Sequence, residues 1–170
     1  MSEPVDPFLN PVLAATSAGT TNGGRFGCSR NGGNSFHDGT DLKADVGTAF
    51  VSIYAGTVQA IRDNVPNNVN TPNSVGNYVI IRSNQKQVSI KYCHLSEVSV
   101  QPGQAVAAGQ ELGKTGKSGN AFDDIQVPVK HLHIVVSTDY FLTSTKYVDP
   151  EPFLKTNYGA NPNSPGPACP

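Results

Sequence analysis

The chain has 170 residues, with 12 lysines and arginines against 13 aspartates and glutamates and a formal net charge of -1. That length suits one domain with room for a hydrophobic core. The near-neutral charge, without a basic run, excludes a nucleic-acid electrostatic footprint, and no apolar stretch reaches the roughly 18 residues that a membrane-spanning helix needs.

Seventeen glycines and 13 prolines make the chain turn-rich. The opening Met1-Ser2-Glu3-Pro4-Val5-Asp6-Pro7 lacks the basic and apolar regions of a secretion signal. The expectation is a leader already removed, export by another route, or retention inside the cell. Residues 1–22 read as an irregular arm laid over the domain. Three cysteines, Cys28, Cys93 and Cys169, match no zinc-finger spacing. They allow one disulfide and a spare thiol, or three idle thiols.

Asn22-Gly23-Gly24 and Asn31-Gly32-Gly33 are turn signals around Arg25–Arg30. Then comes Phe36-His37-Asp38-Gly39-Thr40-Asp41-Leu42. Gly39 and the strand-like sequel argue for a loop followed by a strand. His37 and Asp41, four apart, then return to the same face of an extended chain. The alternative is a surface turn in which Asp41 caps backbone amides.

Short β-branched runs follow. Thr48–Tyr54 and Thr57–Ile61 read as two strands across an Ala55-Gly56 turn. Residues 62–76 form a long Asn/Pro loop, of a length that points to function or disorder. Asn77–Arg82 and Val88–Leu95 are strands. Alternation along the second places His94 on the face of Val88, Ile90 and Tyr92. Gly113–Ser118 resembles a fragment of a phosphate-binding loop, but the full motif and a following helical period are missing.

After another loop over 121–130, Lys130-His131-Leu132-His133-Ile134-Val135-Val136 reads as a strand. His131 and His133 project from one face of it. Neutral imidazole serves both as a zinc ligand and as a general acid or base; the bland alternative is two half-exposed strand histidines. Tyr147–Leu154 reads as a closing turn with one helical turn, and 156–170 as a frayed tail. No long helical period appears. The fold expected is predominantly β and antiparallel, built of short strands.

The four histidines are His37, His94, His131 and His133. Catalytic zinc takes three protein ligands and keeps a fourth position for water. A His and an Asp from one loop and a His from a strand would supply three. Two histidines remain for proton transfer and oxyanion stabilisation, which fits a metallohydrolase.

His37-x3-Asp41, Tyr92-Cys93-His94-Leu95-Ser96 and His131-Leu132-His133 resemble the motifs of lysostaphin-type zinc metallopeptidases, the peptidoglycan endopeptidases of the duplicated-hybrid-motif fold. Phe26-Gly27, Gly76–Ile81, a glycine ladder from Gly109 to Gly119 and Val148-Asp149-Pro150 extend the resemblance over residues 23 to 154. The resemblance implies a mainly β, antiparallel sandwich or barrel-like catalytic domain over 23–155. It implies one zinc ion, held by His37, Asp41 and His133 with water in the fourth position, and His94 and His131 as the catalytic pair. The substrate implied is the peptide cross-links of bacterial peptidoglycan, with D,D-endopeptidase action placed before glycyl-glycine cleavage. The alternative is a non-catalytic relative that binds cell wall or a partner hydrolase.

The expected setting is the periplasm or cell wall, reached by secretion or delivery as an antibacterial effector or phage-type lysin. The expected form is a monomer, open to an immunity or inhibitor protein and binding no nucleic acid. Three departures from the family pattern stand out. Arg30 comes one residue later than the family's arginine. Cys93 stands where a small residue is usual, and because Cys28 and Cys93 both flank motif residues, a disulfide between them is one hypothesis, with the pairing of Cys28, Cys93 and Cys169 left open. The loops at 62–76 and 121–130 are long, and they flank the cleft in the family fold.

Overall fold

The computed structural model describes residues 4–8, 24–121, 130–156, 158–163 and 168–169. In chain order the strands are β1 (Gly27–Arg30), β2 (Ser35–His37), β3 (Thr40–Lys43), β4 (Ala49–Val51), β5 (Gly56–Arg62), β6 (Asn77–Ser83), β7 (Val88–Val98), β8 (Ala105–Val106), β9 (Glu111–Thr115), β10 (His131–Ser137) and β11 (Tyr147–Val148). Helix is confined, among the described residues, to four short 3₁₀ turns, one of them at Glu151–Phe153. Every ladder is antiparallel. This is the mainly β, antiparallel architecture expected from the short β-branched runs.

β10 lies inside the main sheet, one strand in from the β11 end of a path that runs β11-β10-β7-β6-β5-β8. One edge of β10 pairs with β3 along His131–Ile134 and with β11 at Val136–Ser137. The other edge pairs with β7 along His133–Ser137. β9 joins β7 and carries β4. β1 and β2 form a separate ribbon.

Alternation sorts each strand between two faces. Leu132, Ile134 and Val136 of β10 join Leu42 of β3 and Ile90 and Tyr92 of β7 in one core cluster. Each fully buried aliphatic side chain of this kind contributes roughly 1.5–3 kcal/mol. Tyr92 is fully buried, and its hydroxyl accepts the Ile53 amide at 3.0 Å. The strand expected over 48–54 is shorter, Ala49–Val51, because the Ser52 hydroxyl donates back to the Tyr54 carbonyl at 2.6 Å.

The described N-terminal segment is tied to this sheet. In the N-terminal segment Val51 N–H donates to the Pro7 carbonyl at 2.6 Å, and Phe8 is buried in the core. The remainder of the expected arm, residues 1–3 and 9–22, lies outside the described residues, as do 122–129 of the loop before β10.

Two expectations about the cysteines and the tail are corrected. Cys28 is bonded to Cys169, not to Cys93. Cys93 is enclosed in the main sheet opposite His133, whereas Cys28 lies in the β1–β2 ribbon against which the tail packs. The described part of the tail is therefore anchored, not frayed. Arg25 Nε donates to both Glu151 carboxylate oxygens at 3.0 and 3.1 Å, and its Nη atoms donate to the Gly159 and Ala160 carbonyls. Asn161 Nδ2 donates to the Phe26 carbonyl at 2.9 Å.

Candidate metal centre

His37 closes β2 and Asp41 lies in β3, with a turn at Asp38-Gly39 between them. That turn runs close against β10. A Cβ at Gly39 would collide with the Ile134 carbonyl oxygen and sit 2.8 Å from His133 Cε1. Glycine is thus required by close approach. β3 then pairs with β10 so that Asp41 faces His133 directly. Because His131 and His133 alternate with the core residues Leu132 and Ile134, they project from the opposite face, towards His37 and Asp41.

His94 reaches the same place by a different route. In the β7–β10 register Tyr92 faces Ile134 on the core side and Cys93 faces His133. Simple alternation would return His94 to the core. Instead the β6–β7 register shifts between Asn77 and Val79, and His94 has a left-handed φ of 62°. This bulge re-aims the side chain. The His94 ring lies 5.3 Å from the His131 ring and 5.9 Å from the His133 ring. The sequence expectation that His94 shares a face with Val88, Ile90 and Tyr92 is therefore corrected.

All four histidines are buried, at 5–6% exposure, and Asp41 is fully buried. They are not half-exposed strand residues. His37, Asp41 and His133 bring one donor atom each within 4.8 Å of one another. His37 Nε2 is 3.3 Å from His133 Nδ1 and 3.4 Å from Asp41 Oδ1, and His133 Nδ1 is 2.7 Å from Asp41 Oδ1. Donors held tetrahedrally at about 2.0–2.1 Å from a zinc ion are about 3.3 Å apart. Two imidazole nitrogens and one carboxylate oxygen are the donor types of a three-ligand zinc site; the two separations from His37 Nε2 match that spacing, and the His133–Asp41 pair is closer, at hydrogen-bond distance.

The outer atoms of the three donors are held as well. His37 Nδ1 donates to the Arg25 carbonyl at 3.1 Å, since a carbonyl can only accept. That leaves Nε2 as the lone-pair nitrogen, and Arg30 Nη2 donates to it at 3.0 Å. Arg30 Nη2 also donates to Asp41 Oδ2 at 2.7 Å, so Oδ1 is the oxygen turned to the imidazoles. His133 Nε2 donates to Asp38 Oδ1 at 3.1 Å. His94 Nδ1 donates to the Ser118 carbonyl at 2.8 Å, leaving Nε2 as its basic nitrogen. Gly76, with φ of 67°, allows the close packing on Ser118 that supports this contact.

The electrostatics follow from these contacts. Burial opposes the charge on Asp41, but His131, His37 and the His133 hydrogen bond hold its carboxyl well below the usual range. Burial also opposes a charged His133, yet hydrogen bonds to Asp38 and Asp41 push it up to about 9. Burial lowers His37. Burial, with His133 and His131 beside it, lowers His94 to about 3, so its ring stays neutral. Burial pushes the Cys93 thiol up to about 12, which removes it as a nucleophile at neutral pH.

Arg30, Asp38, Val75, Asn120 and Ala121 line the same pocket as the histidines. The Asn/Pro loop reaches it because it is stitched to the end of the glycine ladder and to β7: Asn120 N–H donates to the Ser74 carbonyl and His94 N–H to the Val75 carbonyl. Every candidate residue singled out in the sequence is thus brought into one cleft. Asp38, Arg25 and Ser118 were missed. Only Asp38 left a signal, a carboxylate next to His37.

The profile of peptidase family M23 matches residues 35–150. The chain is 34% identical over 97 residues to the peptidoglycan DD-endopeptidase ShyA of Vibrio cholerae, covering 57% of this chain and 19% of that protein. It is 35% identical over 136 residues to the glycyl-glycine endopeptidase ALE-1 of Staphylococcus capitis, covering 79% of this chain and 33% of that protein. The chain thus spans between a fifth and a third of these relatives. The catalytic domain of lysostaphin from Staphylococcus simulans superposes with a TM-score of 0.56 at 27% identity, covering 76% of this chain and 86% of that one.

Proposed function

The chain belongs to peptidase family M23, and from that membership we propose that it is a zinc endopeptidase that hydrolyses peptide cross-links of bacterial peptidoglycan. The observation that carries the reading is the convergence of His37 Nε2, Asp41 Oδ1 and His133 Nδ1 beside the His94 and His131 rings. Zinc held by those three atoms would supply Lewis-acid polarisation of a water and of the scissile carbonyl.

The chain's own groups do the rest. His94 and His131 are the catalytic pair. His94 is tied through Nδ1 to Ser118, which leaves its Nε2 lone pair free for proton transfer. In the pair, one imidazole takes the proton of the attacking water and later returns it to the leaving amine. The other donates an N–H to the developing oxyanion. Burial of the cleft strengthens both interactions. The filled ligand and histidine positions favour the enzyme over a non-catalytic wall-binding relative.

Among cross-links, the D-alanyl–diaminopimelate bond is preferred to the glycine bridge. Arg30 lines the pocket with a guanidinium that Asp41 holds through Nη2, and its side chain is 31% exposed. A carboxylate flanks the diaminopimelate amide, and none flanks a bond within a glycine bridge. The site of action is the cell wall. The test is digestion of diaminopimelate-type and glycine-bridged sacculi, with product masses read out, before and after chelation. Cleavage of the first wall, lost on chelation and restored by zinc, is expected. Cleavage of neither wall by the zinc-loaded protein would overturn the reading; cleavage of the glycine bridge alone would overturn the bond preference.

A further inference from the structure

Resting on that zinc reading, we infer that Asp38 is a positioning residue for the metal, acting through His133. An imidazole ligand has two nitrogens, and which one meets the ion is decided by what holds the other. His133 Nδ1 is directed to the cluster, 2.7 Å from Asp41 Oδ1 and 3.3 Å from His37 Nε2. Its Nε2 is taken by Asp38 Oδ1 at 3.1 Å. The ring cannot flip without losing both contacts. Gly39 closes the clamp, since the backbone at that position runs against His133 Cε1.

The carboxylate has no comparable structural task. Its side chain is 46% exposed, and among the described residues its one side-chain hydrogen bond goes to His133. A solvated aspartate is held against a ring that is 6% exposed. The other two donors are braced by a backbone carbonyl and by a guanidinium, at His37 and Asp41. Asp38 completes the set with the one brace that is negatively charged. A carboxylate behind an imidazole ligand fixes its tautomer and raises its basicity.

The experiment is the apparent zinc dissociation constant at fixed pH, by competition with a chromophoric chelator, for wild type, Asp38→Asn and Asp38→Ala. Asp38→Asn keeps an acceptor and loses the charge, and affinity should weaken by roughly 10-fold; Asp38→Ala should weaken it by up to about 100-fold. Melting of the metal-free variants verifies that each is folded, and the near-isosteric Asp38→Asn serves if Asp38→Ala is not. In the zinc-loaded wild type an exchange-protected His133 Nε2–H proton should be visible by NMR, and it should be lost in Asp38→Ala. Equal zinc affinity in wild type and both variants would overturn the role of Asp38 alone. A wild type that binds no zinc would overturn the metal reading and this inference with it.

Discussion

Asp41 and His133 face each other across the β3–β10 ladder, and their side chains meet at 2.7 Å between Oδ1 and Nδ1. The carboxylate is fully buried, and its other oxygen accepts from Arg30. Removing Asp41 takes a buried carboxylate from two cations at once, His133 and Arg30. Asp41→Ala should therefore destabilise the metal-free protein by about 3–5 kcal/mol, the cost typical of breaking a buried ion pair. Urea unfolding with chelator present measures it. Arg30, 31% exposed on its side chain, should cost less when removed.

Stability of the metal-free protein should fall on both sides of about pH 6.5, the ordinary histidine value. His133 is raised to about 9, so its contribution is complete below pH 6.5 and lost as pH rises through 9. His94 is lowered to about 3, and His37 is also lowered, so theirs is lost as pH falls below 6.5. The acid limb is shared with the carboxyls of Asp41 and Asp38, both held low. Urea midpoints across pH 4–9 test this; His133→Gln should flatten the alkaline limb, and His94→Ala should soften the acid one.

Gly39→Ala should disrupt the site without removing any polar group from it. The added methyl has nowhere to go between the Ile134 carbonyl and the His133 ring, so the turn must move off β10. A loss of about 1–3 kcal/mol in stability is expected, as for other overpacked positions, with zinc affinity falling alongside. Retained zinc affinity at full occupancy would count against a rigid turn.

Much of this centre was legible in the sequence because strands have a period of two. His131 and His133 share a face for that reason, and His37 and Asp41 converge because a glycine turn returns the chain. His94 is legible as a motif but not as geometry. Period-two reasoning sends it to the core, and only the bulge at φ 62° turns it round. Cys169 is invisible to local pattern, since its partner lies 141 residues away. Asp38 is a carboxylate like any other until β10 brings His133 against it.

That disulfide is directly countable. After denaturation without reductant, one thiol, Cys93, should alkylate; with reductant, three should. Cys169→Ser should lower stability by about 2–5 kcal/mol, because the bond closes a long loop. Three thiols reacting without reductant would remove the bond between β1 and the tail.

The measurement that bears most directly on the central claim is zinc content beside cross-link cleavage for wild type, His133→Ala and His94→Ala. Wild type should hold one zinc ion and cleave. His133→Ala should lose both. His94→Ala should keep the zinc and lose cleavage by about 100-fold or more, as befits a proton-transfer group. A His94→Ala protein that cleaves at the wild-type rate, or a His133→Ala protein that retains a full zinc ion, would contradict the division of this cleft into ligands and catalytic histidines.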